Sequence, residues 1–312
     1  MSEDAMDRAA SILRSACGDR VRTGFALAPL TTFRIGGPAA LYLEPDSEGD
    51  LVAASRVLRD TDVPVAVLGK GSNVLVGDDG FPGLVLRLGR GFRWAAREGA
   101  TLKAGGAMPL PALAGVALRH ELAGLSFGVA IPATLGGAVR MNAGAHGHEM
   151  AEVVDHVNVF HLETGARATV PASEFGFSYR SSRLPPDAVV VAATVHLAPG
   201  EAAGIRAAMD EAREWRRRTQ PLAEPNCGSV FKNPSEGPAA AQLIEDAGAK
   251  GLREGGASVS TKHANFIVAG EGARAADVLA LIDRVRTMVE RGTGIRLEPE
   301  VRLIGGEAHV GA

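Results

Sequence analysis

The sequence predicts an α+β protein in two parts. Short apolar runs of strand character mix with a few amphipathic stretches, without the regular βαβ rhythm of a doubly wound sheet. Two glycine-rich loops, 69–73 and 128–147, interrupt those runs where neither a long helix nor a plain strand interior suits the residues. The composition then changes after Ala198-Pro199-Gly200, where a charged helical stretch begins. We place a domain boundary there, giving 1–199 and 200–312.

A chain of 312 residues is long enough for two real cores. Its 46% apolar and 22% charged residues are those of a globular protein. A net charge of −3 gives no basic surface for nucleic acid or a membrane. The acidic start, MSEDAMDRAA, lacks the apolar centre of a signal peptide, and no run approaches the ~20 apolar residues of a membrane span. Cys17 and Cys227 make no disulfide framework, so a reducing cytoplasm is expected.

In chain order, helical spacing of Ala5, Ala9, Ile12, Leu13 and Ala16 predicts a helix over 3–18. A strand follows over 39–43, then a helix over 47–60 carrying Leu51, Ala54, Val57 and Leu58 on one side. Val63–Leu68 reads as a buried strand running into Gly69-Lys70-Gly71-Ser72-Asn73. That loop fits neither phosphate fingerprint. A dinucleotide loop needs a third glycine and an ensuing helix, and a Walker loop needs Lys directly before Ser or Thr. What remains is a strand–turn–strand, with 74–76 and 84–88 as the next strands around an Asp-Asp-Gly turn. Such a turn offers N–H groups, one lysine and one hydroxyl to a phosphate, or is an ordinary hairpin turn. Strands over 92–96 and 101–104 and a helix over 109–119 lead to the second loop.

In that loop, GVAIPATLGGAVRMNAGAHG, the adjacent Gly136 and Gly137 followed by Ala138 are expected to turn bare peptide N–H groups toward phosphate oxygens. Strands over 153–160 and 188–197 close this half. Beyond it, a helix over 201–219 ends in Trp215-Arg216-Arg217-Arg218, either a solvated face or a diphosphate site. Helices over 238–247 and 274–291 and a short strand over 266–269 follow. The last segment, 295–304, alternates, with Glu298 and Glu300 on one face among Arg296 and Arg302. Alternation does not choose between the two carboxylates.

His146-Gly147-His148-Glu149 lacks the spacing and the third ligand of a metal site, so no metal is expected. Ser229 is followed by Val230-Phe231, not by the x-Gly of a nucleophile elbow. Cys227 beside Gly228 reads as a small residue in a tight loop, with a thiol nucleophile paired to His263 as the alternative.

Seven stretches, taken together in their order and spacing, resemble one family. They are Thr32–Gly37, Leu68–Asn73, Ile131–Gly147, Gly176–Ser182, Gly228–Pro234, Lys262–Phe266 and Leu297–Val301. The chain resembles the UDP-N-acetylenolpyruvoylglucosamine reductases, flavoenzymes of bacterial peptidoglycan precursor synthesis, from Thr32 to Gly305. The resemblance implies a vanillyl-alcohol-oxidase (PCMH-type) FAD-binding fold over 1–199 and a smaller α+β substrate-binding domain over 200–312. It implies noncovalent FAD reduced by NADPH, then hydride delivery to the enolpyruvyl ether of UDP-N-acetylglucosamine, giving UDP-N-acetylmuramate. Arg34, Gly69, Lys70, Gly71, Ser72, Asn73, Ile131, Pro132, Gly136, Gly137, Ala138 and Asn142 are the implied cofactor residues.

Carried over residue by residue, the family's catalytic arginine falls on Arg180, its serine on Ser229 and its glutamate on Glu300, which resolves the tie with Glu298. Arg180 would grip the substrate carboxylate, Glu300 would orient it, and Ser229 would quench the strongly basic enolate. Tyr179, Arg216, Lys232, Asn233 and Lys262 are the implied substrate residues. Tyr42 and Tyr179 are the only tyrosines. The chain therefore resembles the shorter subgroup, without a tyrosine-bearing closing loop, and a monomer is expected. Two rivals remain: a noncovalent FAD oxidase of a sugar or hydroxy acid, and a non-enzymatic nucleotide-binding protein. No histidine precedes His120, which argues against covalent flavin attachment.

Overall fold

The computed structural model describes residues 3–306. They divide into two compact units, each assembled from three stretches of chain. The first holds 3–23, Leu41–Lys70 and Pro82–Arg216; the second holds Gly24–Ala40, Gly71–Phe81 and 217–306. The chain therefore passes between units inside the first glycine loop, after Lys70. The helix beyond the expected boundary at 199/200 lies in the first unit as far as Arg216.

The first unit is built on a five-stranded antiparallel sheet. Its order is Arg167–Pro171, Val154–His161, Ala188–His196, Thr101–Gly105 and Ala95–Glu98. Ala188–His196 is central and buried along eight of its nine residues, seven of them alanine or valine and one Thr194. Helices α1 (Glu3–Cys17) and α2 (Glu48–Asp60) pack with Leu41, Leu43, Leu84 and Leu86 into one core. Ser47 caps α2 while Asp50 returns the bond to the Ser47 N–H, a capping box. Helix α3 (Leu110–Arg119), the short α4 (Leu135–Arg140) and the buried side of α5 (Ala202–Thr219) join the sheet residues Leu102, Val157 and Val195 in a second core.

The second unit has its own core. Helices α6 (Ala240–Asp246) and α7 (Ala275–Thr293) pack on a three-stranded antiparallel sheet of Arg253–Glu254, Ala257–Val259 and Ile267–Ala269. Helix α7 ends on Gly294 at φ 73°, a left-handed C-terminal residue for which glycine is suited. Arg302–Ile304 runs parallel to Val74–Val76.

Two expected strands are corrected. Of 295–304, only Arg302–Ile304 is a strand. Pro299 has no N–H to give a ladder, and its neighbours meet the 230–232 stretch through the isolated bridge Phe231–Pro299. The inside–outside alternation nevertheless holds: Leu297 and Val301 are buried, while Glu298 and Arg302 are exposed. The strand expected over 92–96 is Ala95–Glu98, preceded by a 3₁₀ turn at Arg90–Phe92. Gly91 lies against the Asp46 backbone carbonyl, which bends the chain there.

Candidate active site

In the first unit the two glycine loops line one cleft of about 310 Å³. Gly69 and Lys70 come from the first loop, and Thr134, Gly136 and Gly137 from the second. Arg87, Arg90, Arg93 and Arg140 add cationic walls that sequence reasoning missed. The run Arg87-Leu88-Gly89-Arg90 beside a glycine turn was the available signal.

The expected role of the second loop is corrected. Its N–H groups do not stand bare. Gly136 donates to Gly106 O at 2.9 Å, Gly137 to Thr134 Oγ1 at 3.3 Å and Ala138 to Thr134 O at 2.8 Å. Residues 135–140 form the short helix α4, with Thr134 as its N-cap. The glycines serve close approach instead. A Cβ on Gly136 would lie 3.2 Å from the carbonyls of Gly106 and Val190, and one on Gly69 would lie 2.8 Å from Thr134 Oγ1. Side chains at these positions would press on the residues that wall the cleft. The cations around a glycine-walled cleft suit a diphosphate, so the residues present fit a dinucleotide such as FAD.

Other expected cofactor residues have structural duties. Asn142 is fully buried at φ 41°. Its Nδ2 donates to Ser178 O at 3.0 Å and its Oδ1 accepts from Ala151 N at 2.9 Å, so it ties the loop together rather than presenting its side chain to a ligand. Ile131 closes a turn through Gly128 O and Ala133 N, before Pro132. In the second unit, Gly71 has φ 68° and packs on the Leu30 carbonyl, where only glycine fits. Its own carbonyl accepts from Thr32 N at 3.0 Å. Ser72 follows it, half-buried. Asn73 Nδ2 donates to Glu300 O at 3.0 Å and Asn73 O accepts from Arg302 N at 3.0 Å, so Asn73 holds the Glu300 segment. Arg34 stands at φ 59°, its N–H bonded to Thr31 Oγ1.

Arg180 belongs to the first unit. Ser178 and Ser181 exchange both backbone bonds at 3.0 Å, which leaves Tyr179-Arg180 as the tip of a two-residue turn. Arg180 has φ 55°, a left-handed conformation that strains a non-glycine residue by about 1 kcal/mol or more. Its guanidinium lies 4.9 Å from the centre of the Tyr179 ring, and Tyr179 is exposed. Gly144 makes room for it: a Cβ there would fall 3.2 Å from Arg180 Nη1 and 2.9 Å from Glu149 Cβ. Arg216 is in the same unit, and burial lowers its pKa.

Ser229 and Glu300 belong to the second unit, which brings their segments together. Glu300 N donates to Val230 O at 2.7 Å and Lys232 N to Glu298 O at 2.9 Å. Lys232 Nζ meets Glu298 Oε1 at 2.5 Å, so the second carboxylate of the alternating face is the partner of Lys232. Gly228, at φ 81°, turns the chain into half-buried Ser229, and its N–H donates to Asn226 Oδ1. Asn233 Oδ1 accepts from Ala240 N at the start of α6, and Lys262 Nζ donates to Arg217 O at 2.6 Å. Cys227 is buried, and burial first, then the Glu300 charge, push its thiol far above the ordinary range. That removes the thiolate a cysteine nucleophile needs. No group of three metal-ligating side chains occurs among the described residues.

Comparison with known proteins decides the family. The model described as "UDP-N-acetylenolpyruvoylglucosamine reductase, C-terminal domain" matches residues 220–304, and the one described as "FAD binding domain" matches 39–169. UDP-N-acetylenolpyruvoylglucosamine reductase 2 of Symbiobacterium thermophilum is 46% identical over 96% of this chain and 98% of its own. The chain belongs to the UDP-N-acetylenolpyruvoylglucosamine reductase family. The Heliobacterium modesticaldum reductase is 48% identical over 88% of each chain. The crystal structure of the Thermus caldophilus reductase superposes with a TM-score of 0.81 at 38% identity, over 92% of this chain and 99% of that one. A variant of berberine bridge enzyme, at 14% identity and a TM-score of 0.50 over 63% of this chain and 44% of its own, shares the fold alone. The α+β flavin fold and the family resemblance read from the sequence both stand.

Proposed function

We propose that this protein is an NADPH-dependent flavoenzyme that reduces the enolpyruvyl ether of UDP-N-acetylglucosamine to UDP-N-acetylmuramate, a step of peptidoglycan precursor synthesis. The observation that carries this reading is the match of both an FAD-binding domain and the family's C-terminal domain, with relatives 46% and 48% identical over most of the chain. Gly69, Lys70, Thr134, Gly136 and Arg140 would hold FAD, which when bound accepts hydride from NADPH and gives it to the terminal vinyl carbon.

The chain's own residues handle the charge and the proton. Addition at the vinyl carbon leaves negative charge on the carbon beside the carboxylate, spread into that carboxylate. The planar Arg180 guanidinium binds a carboxylate at two points and favours the state with more charge on it. Ser229 Oγ–H gives its proton to the carbanionic carbon and recovers one from solvent. A hydroxyl is a weak acid, but an enolate is basic enough to take its proton. Glu300 accepts hydrogen bonds at the reacting end and fixes its donors. Arg216, Lys232 and Lys262 would supply cations to the uridine diphosphate, and Tyr179 and Asn233 would contact the nucleotide sugar. The protein works as a cytoplasmic monomer.

Steady-state NADPH oxidation tests the reading. It should require the enolpyruvyl nucleotide sugar and yield a product heavier by two hydrogens. NADPH oxidation that is unchanged by that sugar, with no reduced product, would refute it.

A further inference from the structure

Asn265 is 4% exposed and lies in the turn between the strands Ala257–Val259 and Ile267–Ala269. Its side chain serves one residue of another segment. Phe231 N–H donates to Asn265 Oδ1 at 2.9 Å, and Asn265 Nδ2 donates to Phe231 O at 2.8 Å. Its backbone carbonyl accepts from Val230 N at 2.9 Å. Three bonds thus run from Asn265 to the two residues that follow Ser229. The opposite edge of the same stretch carries Glu300, whose N–H donates to Val230 O, and Glu298, whose carbonyl accepts from Lys232 N.

Asn265 is itself held. Its N–H donates to His263 Nδ1 at 3.3 Å, and Ser260 Oγ accepts from Lys262 N at 3.1 Å. Nδ1 accepts only while the ring is neutral, and burial lowers the His263 pKa.

We propose that Asn265 is a positioning residue for Ser229, its amide standing in for a neighbouring strand that fixes the 229–232 segment. It touches no reacting atom. The inference rests on reading Ser229 as the proton donor. The geometry demands a paired acceptor and donor on one short side chain. Alanine supplies neither. A carboxylate supplies the acceptor alone, whereas a protonated carboxyl of the same shape supplies both.

That chemistry makes a signature that mere loss of packing does not give. In Asn265→Asp the second bond returns as the buried acid is protonated, and burial raises its pKa. His263, Glu300, Glu298 and Lys232 stand on the adjoining segments in parent and variant alike, so the quantity to follow is the ratio of variant to parent.

The experiment uses FAD-loaded protein under anaerobic stopped flow, reading flavin bleaching by NADPH and then recolouring by the enolpyruvyl nucleotide sugar. Misplacing a proton donor by about 1 Å costs up to about a hundredfold. Asn265→Ala should therefore recolour at least about tenfold more slowly while bleaching within about twofold of the parent. Asn265→Asp should recolour slowly at about pH 8 and approach the parent at about pH 6, whereas the Asn265→Ala ratio stays flat. Adding Asn265→Ala to Ser229→Ala should slow recolouring no further, because both act through one proton.

Equal loss of both halves, a pH-independent Asn265→Asp ratio, or multiplicative losses in the double variant would overturn the proposal. Ser229→Ala recolouring at the parent rate would sink the proton-donor reading itself. Ser229→Ala slow with Asn265→Ala normal would sink the positioning role alone.

Discussion

Replacing Gly69 with alanine puts a methyl group 2.8 Å from Thr134 Oγ1, where the two glycine loops meet. The Gly69 backbone is not among the positive-φ residues, so the contact itself is the whole perturbation. Thr134 must swing away, and its bond from Gly137 N, the cap of α4, is lost. A lost threonine cap costs about 1 kcal/mol, and an off-rotamer side chain a further 0.5–1.5 kcal/mol, roughly. FAD binding needs both loops in place, so that is about 1.5–2.5 kcal/mol of binding, or about a ten- to sixtyfold weaker Kd. Fluorescence titration of the apoprotein with FAD measures it. Thr134→Ala removes the hydroxyl and with it the clash. In that background Gly69→Ala should cost almost nothing, and the cycle should be strongly non-additive. Parental affinity in Gly69→Ala, or losses that simply add in the double variant, would refute the contact.

Two further outcomes follow from the first unit and the thiols. Asp50 is buried, accepts from both terminal nitrogens of the Arg20 guanidinium at 2.7 Å, and accepts from Asp46 N and Ser47 N. The Arg20 hydrogen bond holds its carboxyl well below the usual range. Asp50→Asn should destabilise by about 2–3 kcal/mol at neutral pH. The native pKa is depressed, so the stabilisation is complete above the unfolded value near ~4 and fades as pH falls below it, by about 1.4 kcal/mol per pH unit. Urea melts at several pH values check this, and a gap that widens in acid would contradict it. Burial pushes the Cys17 thiol up to about 11, and the Cys227 thiol is raised further. Neither should react with a thiol reagent at neutral pH until the protein unfolds, and Cys227→Ala should stay active.

Much of this was legible in the sequence because it rests on periodicity. Helices α1, α2, α3, α6 and α7 announce themselves by apolar residues at helical spacing, and the central strand by a nearly continuous run of alanine and valine. The stretches from which roles for Arg180, Ser229 and Glu300 are proposed were legible because each is a local run of chain. What stayed hidden depends on distant partners. Composition gave no sign that Gly136 donates to Gly106, that Asn142 reaches Ser178, or that Asn265 clasps Phe231. Thr134 before Leu-Gly-Gly was readable as a cap, but the glycines drew attention to phosphate instead. The two carboxylates of 295–304 could not be told apart by alternation; the lysine that pairs with Glu298 comes from a segment 66 residues away.

Anaerobic reoxidation tests the central claim most directly. Protein loaded with FAD and bleached by one equivalent of NADPH is mixed with the enolpyruvyl ether of UDP-N-acetylglucosamine or with a simple sugar, without oxygen. The account predicts rapid recolouring with the nucleotide sugar alone and one UDP-N-acetylmuramate formed per flavin reoxidised. Flavin that stays bleached with the nucleotide sugar, yet recolours quickly on admitting oxygen, would contradict it and favour an oxidase.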